Sequence, residues 1–137
     1  STDYTIKFWD IRMSDCVKTY RQHIADVNSV RFFPNGMSFG TGSDDATCKL
    51  FDIRTDREIR KYSEESIISG VFSIDFSLSG RYMFSGYDDA KCRGWDILTG
   101  QVTTTLEDNT RLTSLGLSPD GMALALGGWS SRIKIWA

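Results

Sequence analysis

The chain contains a single histidine, so any nucleophile–base–acid triad would have to be built around His23. The other side chains that could take part in such chemistry are the acidic pairs Asp44–Asp45 and Asp88–Asp89. Paired carboxylates could serve hydrolysis or bind calcium, although these pairs lack the spacing of an EF-hand loop. A hydrolase in this region is therefore one hypothesis, and a purely structural role is the other.

Motifs for cofactors and metals are missing from the sequence. Gly40-Thr41-Gly42 lacks the third glycine of a dinucleotide fingerprint, and no Gly-x-x-x-x-Gly-Lys-Ser/Thr phosphate loop occurs. Cys16, Cys48 and Cys92 are odd in number, and their separations fit neither a metal site nor a disulfide framework. We expect no cofactor and no metal, and reduced thiols that fit a cytosolic compartment.

A repeat explains where the candidate residues lie. Four similar segments end at aromatic positions that are 42, 44 and 41 residues apart, at Trp9, Phe51, Trp95 and Trp136. A period of about 40 to 45 residues, with Trp-Asp endings and Gly/Ser/Asp turns, is typical of a β-propeller blade. Alternating apolar and basic residues before each aromatic indicate strands rather than helices.

The repeat predicts an all-β fold: a partial β-propeller of WD repeats with antiparallel four-stranded blades. We expect one partial domain over 1–137, with repeat units near 1–10 (the end of a repeat), 11–52, 53–96 and 97–137. The chain would supply about thirteen strands, or three and a quarter blades of an expected seven, whereas closed propellers need roughly four to eight. The chain also starts at Ser1 rather than methionine, so we expect a fragment of a longer protein.

Polar residues recur in register with the aromatic positions. His23 lies 28 residues before Phe51, and Thr41 and Asp45 lie 10 and six before it. A hydroxyl, an imidazole and a carboxylate in series can satisfy a buried indole N–H and one another. The expected structural set is Asp3, Trp9, His23, Thr41, Asp45, Phe51, Ser85, Asp89, Trp95 and Trp136.

This set resembles the hydrogen-bonded tetrad of WD-repeat proteins, although some of the tetrad positions hold other residue types. Phe51 has no N–H, and Glu64 or a neighbour stands where the histidine before Trp95 is expected. The last blade keeps only Trp136, because Leu126, Asp108 and Ser130 take its three polar positions. Since the repeat already accounts for the polar residues, the sequence favours a non-enzymatic protein.

Composition and charge limit the partners. A net charge of -2 and a pI near 5.3, with scattered Lys and Arg, argue against nucleic-acid binding. No apolar run approaches the ~18 residues that a membrane-spanning helix needs, so direct membrane insertion is not expected. A propeller without chemistry commonly binds proteins through turn residues at one rim. The candidates for such a rim are Thr2, Asp26, Asn28, Asp44, Asp88, Arg111 and Trp129.

Several longer motifs are similar to one particular family. Phe32-Phe33-Pro34-Asn35-Gly36, the segment 42–52, Ser85-Gly86-Tyr87-Asp88-Asp89 and Ser118-Pro119-Asp120-Gly121-Met122-Ala123 resemble the C-terminal half of heterotrimeric G-protein beta subunits. The resemblance covers the whole chain and includes the Phe at position 51. It departs at Gly127-Gly128-Trp129-Ser130, where the family usually has Gly-Ser-Trp-Asp.

The resemblance implies a function and partners. Thr2, Asp26, Asn28, Asp44, Arg111 and Trp129 would lie on the face that binds the switch region of the alpha subunit, and effectors would share it. Phe33 and Pro34 would contact the gamma subunit, or a gamma-like domain, on another surface. The protein would then be a signalling scaffold in the cytoplasm, held at the inner face of the plasma membrane by its partner subunits. A WD-repeat adaptor of another complex is the alternative.

Overall fold

The computed structural model describes residues 2–107, 112–118, 123–128 and 133–136, which form strands and connecting turns without a helix. Thirteen strands occur within these ranges. They are β1 (Ile6–Asp10), β2 (Asp15–Tyr20), β3 (Val27–Phe32), β4 (Ser38–Ser43), β5 (Cys48–Asp52), β6 (Arg57–Tyr62), β7 (Val71–Phe76), β8 (Tyr82–Tyr87), β9 (Lys91–Asp96), β10 (Val102–Glu107), β11 (Leu112–Leu117), β12 (Leu124–Gly128) and β13 (Ile133–Trp136).

The strands form four antiparallel sheets in chain order. We call them blade 1 (β1–β2), blade 2 (β3–β6), blade 3 (β7–β10) and blade 4 (β11–β13). Within each blade every strand pairs with its sequence neighbour, as short turns between antiparallel strands require. The predicted all-β fold, a partial propeller with four-stranded antiparallel blades, is confirmed.

The blades share one register. The four periodic aromatics all lie on the third-strand equivalent of a blade, namely β1, β5, β9 and β13. The first strand of blades 2, 3 and 4 carries the same irregularity, with register shifts at Val27/Ser29, Val71/Ser73 and Leu112/Ser114. A bulge adds one residue to one strand and bends it, so its recurrence means that the blades bend alike at that end.

The blades pack face to face through aromatic side chains. Tyr20 of blade 1 lies 5.3 Å, centroid to centroid, from the ring of Phe51 in blade 2. Tyr62 of blade 2 packs edge-on against Trp95 of blade 3 at 5.9 Å, and its hydroxyl donates to the Ile97 carbonyl at 3.0 Å. Blades 1 and 2 therefore each end in a tyrosine that covers the periodic aromatic of the next blade.

Two glycines allow the blades to approach closely. A Cβ on Gly40 would lie 2.5 Å from Cζ of Phe76, and one on Gly42 would lie 2.6 Å from Cγ1 of Val71. Both glycines belong to β4, and their neighbours belong to β7 of the next blade. The Gly40-Thr41-Gly42 segment is therefore a flat packing surface rather than a phosphate loop.

Gly40→Ala should destabilise the chain by about 1 to 3 kcal/mol, because the added methyl group overpacks the contact between blades 2 and 3. The matched control is Gly116→Ala in β11, where an added Cβ meets nothing within 4 Å. Urea unfolding measures both free energies. Equal values for the two variants would mean that the blades do not pack against β4 as described.

Candidate functional site

A buried hydrogen-bonded chain connects the loop before β3, strand β4 and the turn between β4 and β5 in blade 2. Nε2 of His23 lies 2.6 Å from Oγ1 of Thr41, and Nδ1 lies 2.8 Å from Oδ2 of Asp45. Because an ionised carboxylate only accepts hydrogen bonds, Nδ1 carries a proton and donates to Asp45. In the neutral imidazole Nε2 then accepts from the threonine hydroxyl. Although the three side chains have the order of a nucleophile–base–acid triad, Thr41 is completely buried, and no substrate can reach its hydroxyl.

The environment of Asp45 stabilises its charged form. Burial by itself would raise its pKa, but hydrogen bonds from His23 and from the Thr47 hydroxyl and amide outweigh burial and lower the pKa well below the usual range. This carboxylate is therefore ionised in the folded protein, and its bonds stabilise the fold.

Blade 3 builds its network from different residues. Nε1 of Trp95 donates to Oγ of Ser85 at 2.9 Å, as the indole requires. The position 28 residues before Trp95 holds Ile67, which is buried, so the neighbour rather than the exposed Glu64 stands in the histidine position. Oδ2 of Asp89 accepts instead from Nη2 of Arg93 at 3.1 Å. Nothing in the repeat pattern indicated this role for the arginine.

The periodic aspartates share a second role, which the sequence interpretation missed. Oδ1 of Asp3, Asp45 and Asp89 accepts the backbone N–H two residues further on, at 3.1, 3.0 and 3.1 Å. The residue between has a positive φ each time: 65° at Tyr4, 68° at Ala46 and 66° at Ala90. A left-handed backbone costs an ordinary residue about 1 kcal/mol or more. The aspartate thus holds a strained turn, and the signal for it was the Asx-turn chemistry of aspartate.

Trp9 does not have the buried position that the tetrad interpretation expects. Its side chain is 54% exposed. The reason is that β1 pairs only with β2 among the described residues, so that blade 1 has no inner strands to cover the ring. Trp136 closes β13 opposite Leu124, in the same register as Trp95 opposite Met83. The side chain of Trp136 lies outside the described residues.

Four of the predicted rim residues meet at one end of blades 2 and 3. Nδ2 of Asn28 donates to Oδ1 of Asp44 at 2.7 Å and to the Val71 carbonyl at 2.8 Å. The Asp44 amide donates to the Asp26 carbonyl at 2.9 Å. Asn28 is the bulged residue of β3, since Val27 and Ser29 pair with consecutive residues of β4. Asp44 is exposed as expected, but its position is fixed by Asn28.

Asp88 joins this group through Gly70. Its amide donates to the Gly70 carbonyl at 3.0 Å. A Cβ on Gly70 would lie 2.7 Å from Oδ1 of Asp44 and 3.2 Å from Oδ2 of Asp88. Both carboxylates therefore lie close to Gly70, and they fit there because glycine has no side chain. We call Asp26, Asn28, Asp44 and Asp88 the acidic rim.

The other predicted rim residues are distributed differently. Thr2 is exposed, and it lies seven residues before Trp9, as Asp44 and Asp88 lie seven before Phe51 and Trp95. This shared register assigns Thr2 to the equivalent turn of blade 1. Arg111 and Trp129 lie outside the described residues, so their predicted places in the rim stay predictions.

Phe33 and Pro34 lie at the opposite end of β3 from the acidic rim. The ring of Phe33 is half-buried and packs edge-on against Phe76 of blade 3 at 5.3 Å. Pro34 is exposed. Pro34 borders a groove of about 280 Å³ that is lined by the apolar Phe32, Leu78 and Leu117 and by the polar Asp75 and Ser118. Phe33 therefore joins two blades, and it is Pro34 that borders open space.

Two negative findings concern the part of the chain that the structure describes. There, no helix is long and apolar enough to cross a membrane. Nor do three His, Cys, Asp or Glu side chains come together as a metal-binding group within 2–107 and the three shorter described segments.

Comparison with known proteins identifies the repeat and its relatives. The family described as "WD domain, G-beta repeat" matches residues 14–52, 61–96 and 100–137. Curated relatives named "Guanine nucleotide-binding protein subunit beta" from Oryza sativa subsp. indica and Zea mays are each 47% identical over 148 residues, and one from Arabidopsis thaliana is 46% identical over 149. Each match covers 100% of this chain and 39% of the relative, so the chain spans about two fifths of their length.

The free energy of unfolding should fall as the pH drops below the ordinary carboxyl pKa. The folded-state pKa of Asp45 is depressed, so its contribution is present above the unfolded value of 3.8 and is lost as the pH falls toward the folded value. Asp45→Asn should cost about 1 to 3 kcal/mol near pH 6, and the difference from the parent chain should shrink toward pH 2. Urea unfolding across that range measures it, and Asp15→Asn, at an exposed position of β2, is the control.

Proposed function

The chain belongs to the WD domain, G-beta repeat family, and from this premise we propose that it is part of a G-protein beta subunit, a non-catalytic scaffold in receptor signalling. The observation that carries the proposal is the identity of 47% over the whole chain to proteins named guanine nucleotide-binding protein subunit beta. The buried Thr41–His23–Asp45 chain supports the non-catalytic part, because its hydroxyl has no access to substrate.

The acidic rim is the proposed docking site for a G-protein alpha subunit in its GDP form, with Thr2, Arg111 and Trp129 as further members. Two features support this. The Asn28 side chain is bonded to both Asp44 and Val71, so the rim keeps one shape before a partner arrives. A preorganised surface loses less conformational entropy on binding. Carboxylates also attract basic partners over a distance and raise the rate of encounter.

The mechanism that follows is competition for one surface. The alpha subunit bound to GDP covers the rim, and effectors cannot then reach it. When GTP replaces GDP, the switch region of the alpha subunit changes shape and its contact with the rim is lost. Effectors then bind the exposed surface. The chain itself holds no nucleotide in this scheme and acts only through the surface that it presents.

A gamma subunit or gamma-like domain is the proposed partner at the opposite end, at Phe33 and Pro34. The groove beside Pro34 supports an apolar contact, because Phe32 and Leu78 are 61% and 68% exposed there. Exposed apolar side chains in one groove favour a protein partner. Through these partner subunits the protein would be held at the inner face of the plasma membrane, without nucleic acid, cofactor or insertion of its own.

Asn28→Ala in the natural polypeptide that carries this chain should weaken binding of a GDP-loaded alpha subunit by about 1 to 3 kcal/mol, because Asp44 loses the bond that orients it. Trp129→Ala should weaken it on the same scale. The matched control is Asn35→Ala at the opposite end, where the side chain only accepts the Met37 amide. Titration calorimetry with GDP-loaded and GTP-analogue-loaded alpha subunit supplies the affinities. Equal binding of both nucleotide states would favour a WD-repeat adaptor of another complex.

Pro34→Glu should weaken gamma-subunit binding by about 1 to 3 kcal/mol and spare the alpha subunit, because a charge would enter an apolar contact. Thr55→Glu, in an exposed turn, is the control for added charge. Co-purification of the gamma subunit with each variant is the measurement. Full gamma retention by Pro34→Glu would remove this end from the proposed interface.

A further inference from the structure

Blade 3 holds its rim turn without the histidine that serves blade 2. Asp45 and Asp89 cap their turns in the same way, each with Oδ1 on the amide two residues ahead. In blade 2, Oδ2 of Asp45 is bound by His23. In blade 3 the histidine position is the apolar and buried Ile67, which can bind no carboxylate. Oδ2 of Asp89, whose side chain is 30% exposed, therefore has no imidazole partner.

Arg93 supplies a donor from a different strand. It lies in β9, opposite Ser85 and Thr105. Its Nη2 is 3.1 Å from Oδ2 of Asp89, and its guanidinium carbon is 4.4 Å from the centroid of the Tyr87 ring. The side chain is only 10% exposed. A guanidinium can stack on a ring face and donate to a carboxylate at once, which an ammonium cannot do as well.

The equivalent residue of blade 2 behaves differently. Lys49 lies opposite Thr41 and Lys61, the same register as Arg93. Its Nζ donates to the Gln22 carbonyl at 2.7 Å and pairs with Glu58 at 2.8 Å, rather than with Asp45. The register position alone therefore does not produce a bond to the turn aspartate. Of the two four-stranded blades, the one that lacks the imidazole has the bond.

The turn that Arg93 stabilises carries a residue of the acidic rim. Asp88 directly precedes Asp89, and the following Ala90 has a φ of 66°. Oδ1 of Asp89 holds the Lys91 amide, so the carboxylate closes the strained turn. The same turn brings the Asp88 amide onto the Gly70 carbonyl and its carboxylate beside Asp44. If Asp89 lost its partner, Asp88 would lose its fixed place at the rim.

We propose that Arg93 is a positioning residue: stacked on Tyr87, it replaces the missing histidine of blade 3 as the partner of Asp89 and fixes Asp88 in the acidic rim. The other partner of the histidine, the hydroxyl of the second strand, is bonded in blade 3 by Tyr87, whose hydroxyl lies 3.1 Å from Oγ of Ser85. The consequence for partner binding rests on the proposed function, but the positioning itself does not. Arg93 would thus determine how well the rim matches a partner without touching that partner.

The test uses amide hydrogen exchange followed by NMR in the natural polypeptide. Arg93→Met keeps a side chain over Tyr87 but removes the ion pair. Exchange of the Lys91 and Asp88 amides should then rise about tenfold or more, since local opening exposes them, while the Thr47 and Asp44 amides of blade 2 stay unchanged. Lys49→Met is the matched control, with no selective effect at Asp88.

The outcomes separate the two proposals. Unchanged exchange in Arg93→Met, or an equal rise at all four amides, would overturn the positioning role, since an equal rise reports general destabilisation. A selective rise at Lys91 and Asp88 supports it. The affinity of GDP-loaded alpha subunit for the same variants is measured separately. A selective rise in exchange without any loss of affinity would count against Asp88 in the docking site, not against Arg93.

Discussion

Burial of both faces of each small sheet is the constraint on which this structure depends. A four-stranded sheet has two faces, and its apolar side chains leave water only when a neighbouring sheet covers them. Blades 2 and 3 meet this requirement through the flat surface at Gly40 and Gly42 and through Tyr62 against Trp95. At about 25 cal/mol per Å² of apolar area, such contacts supply most of the favourable free energy of a repeat protein. Trp9 lies on β1, which pairs only with β2 among the described residues, and its side chain is 54% exposed.

Hydrogen bonds of polar side chains at the blade ends stabilise the tight turns between the strands. A propeller needs tight turns at its rims, and the turns here place Tyr4, Ala46 and Ala90 in the left-handed region. The aspartate before each of these residues bonds the amide after it and offsets part of that strain. Such a carboxylate, partly withdrawn from water, needs a partner of its own. His23 serves Asp45 and Arg93 serves Asp89, so one requirement is met by two chemistries.

The fold could be predicted closely because it follows from periodicity. Alternation and turn residues predicted about thirteen strands, and thirteen occur within the described residues. Contacts between residues that are far apart in the sequence could not be predicted from periodicity. The sequence places a substitute for the missing histidine at Glu64 or a neighbour, whereas Arg93 reaches Asp89 from another strand. The rim was predicted as a set of turn residues, but the bulge at Asn28 and the open space at Gly70, which bring Asp44 and Asp88 together, appear only in the structure.

Each rim turn contains two neighbouring residues, of which the second stabilises the turn and the first is presented at the rim. The second residue, Asp3, Asp45 or Asp89, closes the turn and is bonded inside the chain. The first residue is Thr2, Asp44 or Asp88, and these differ in charge although the turn beneath them is the same. Because the backbone is fixed by the second residue, the first can change without cost to the turn. A repeat built in this way can present different side chains in a constant geometry, which is the property that a binding scaffold needs and a catalytic site does not supply.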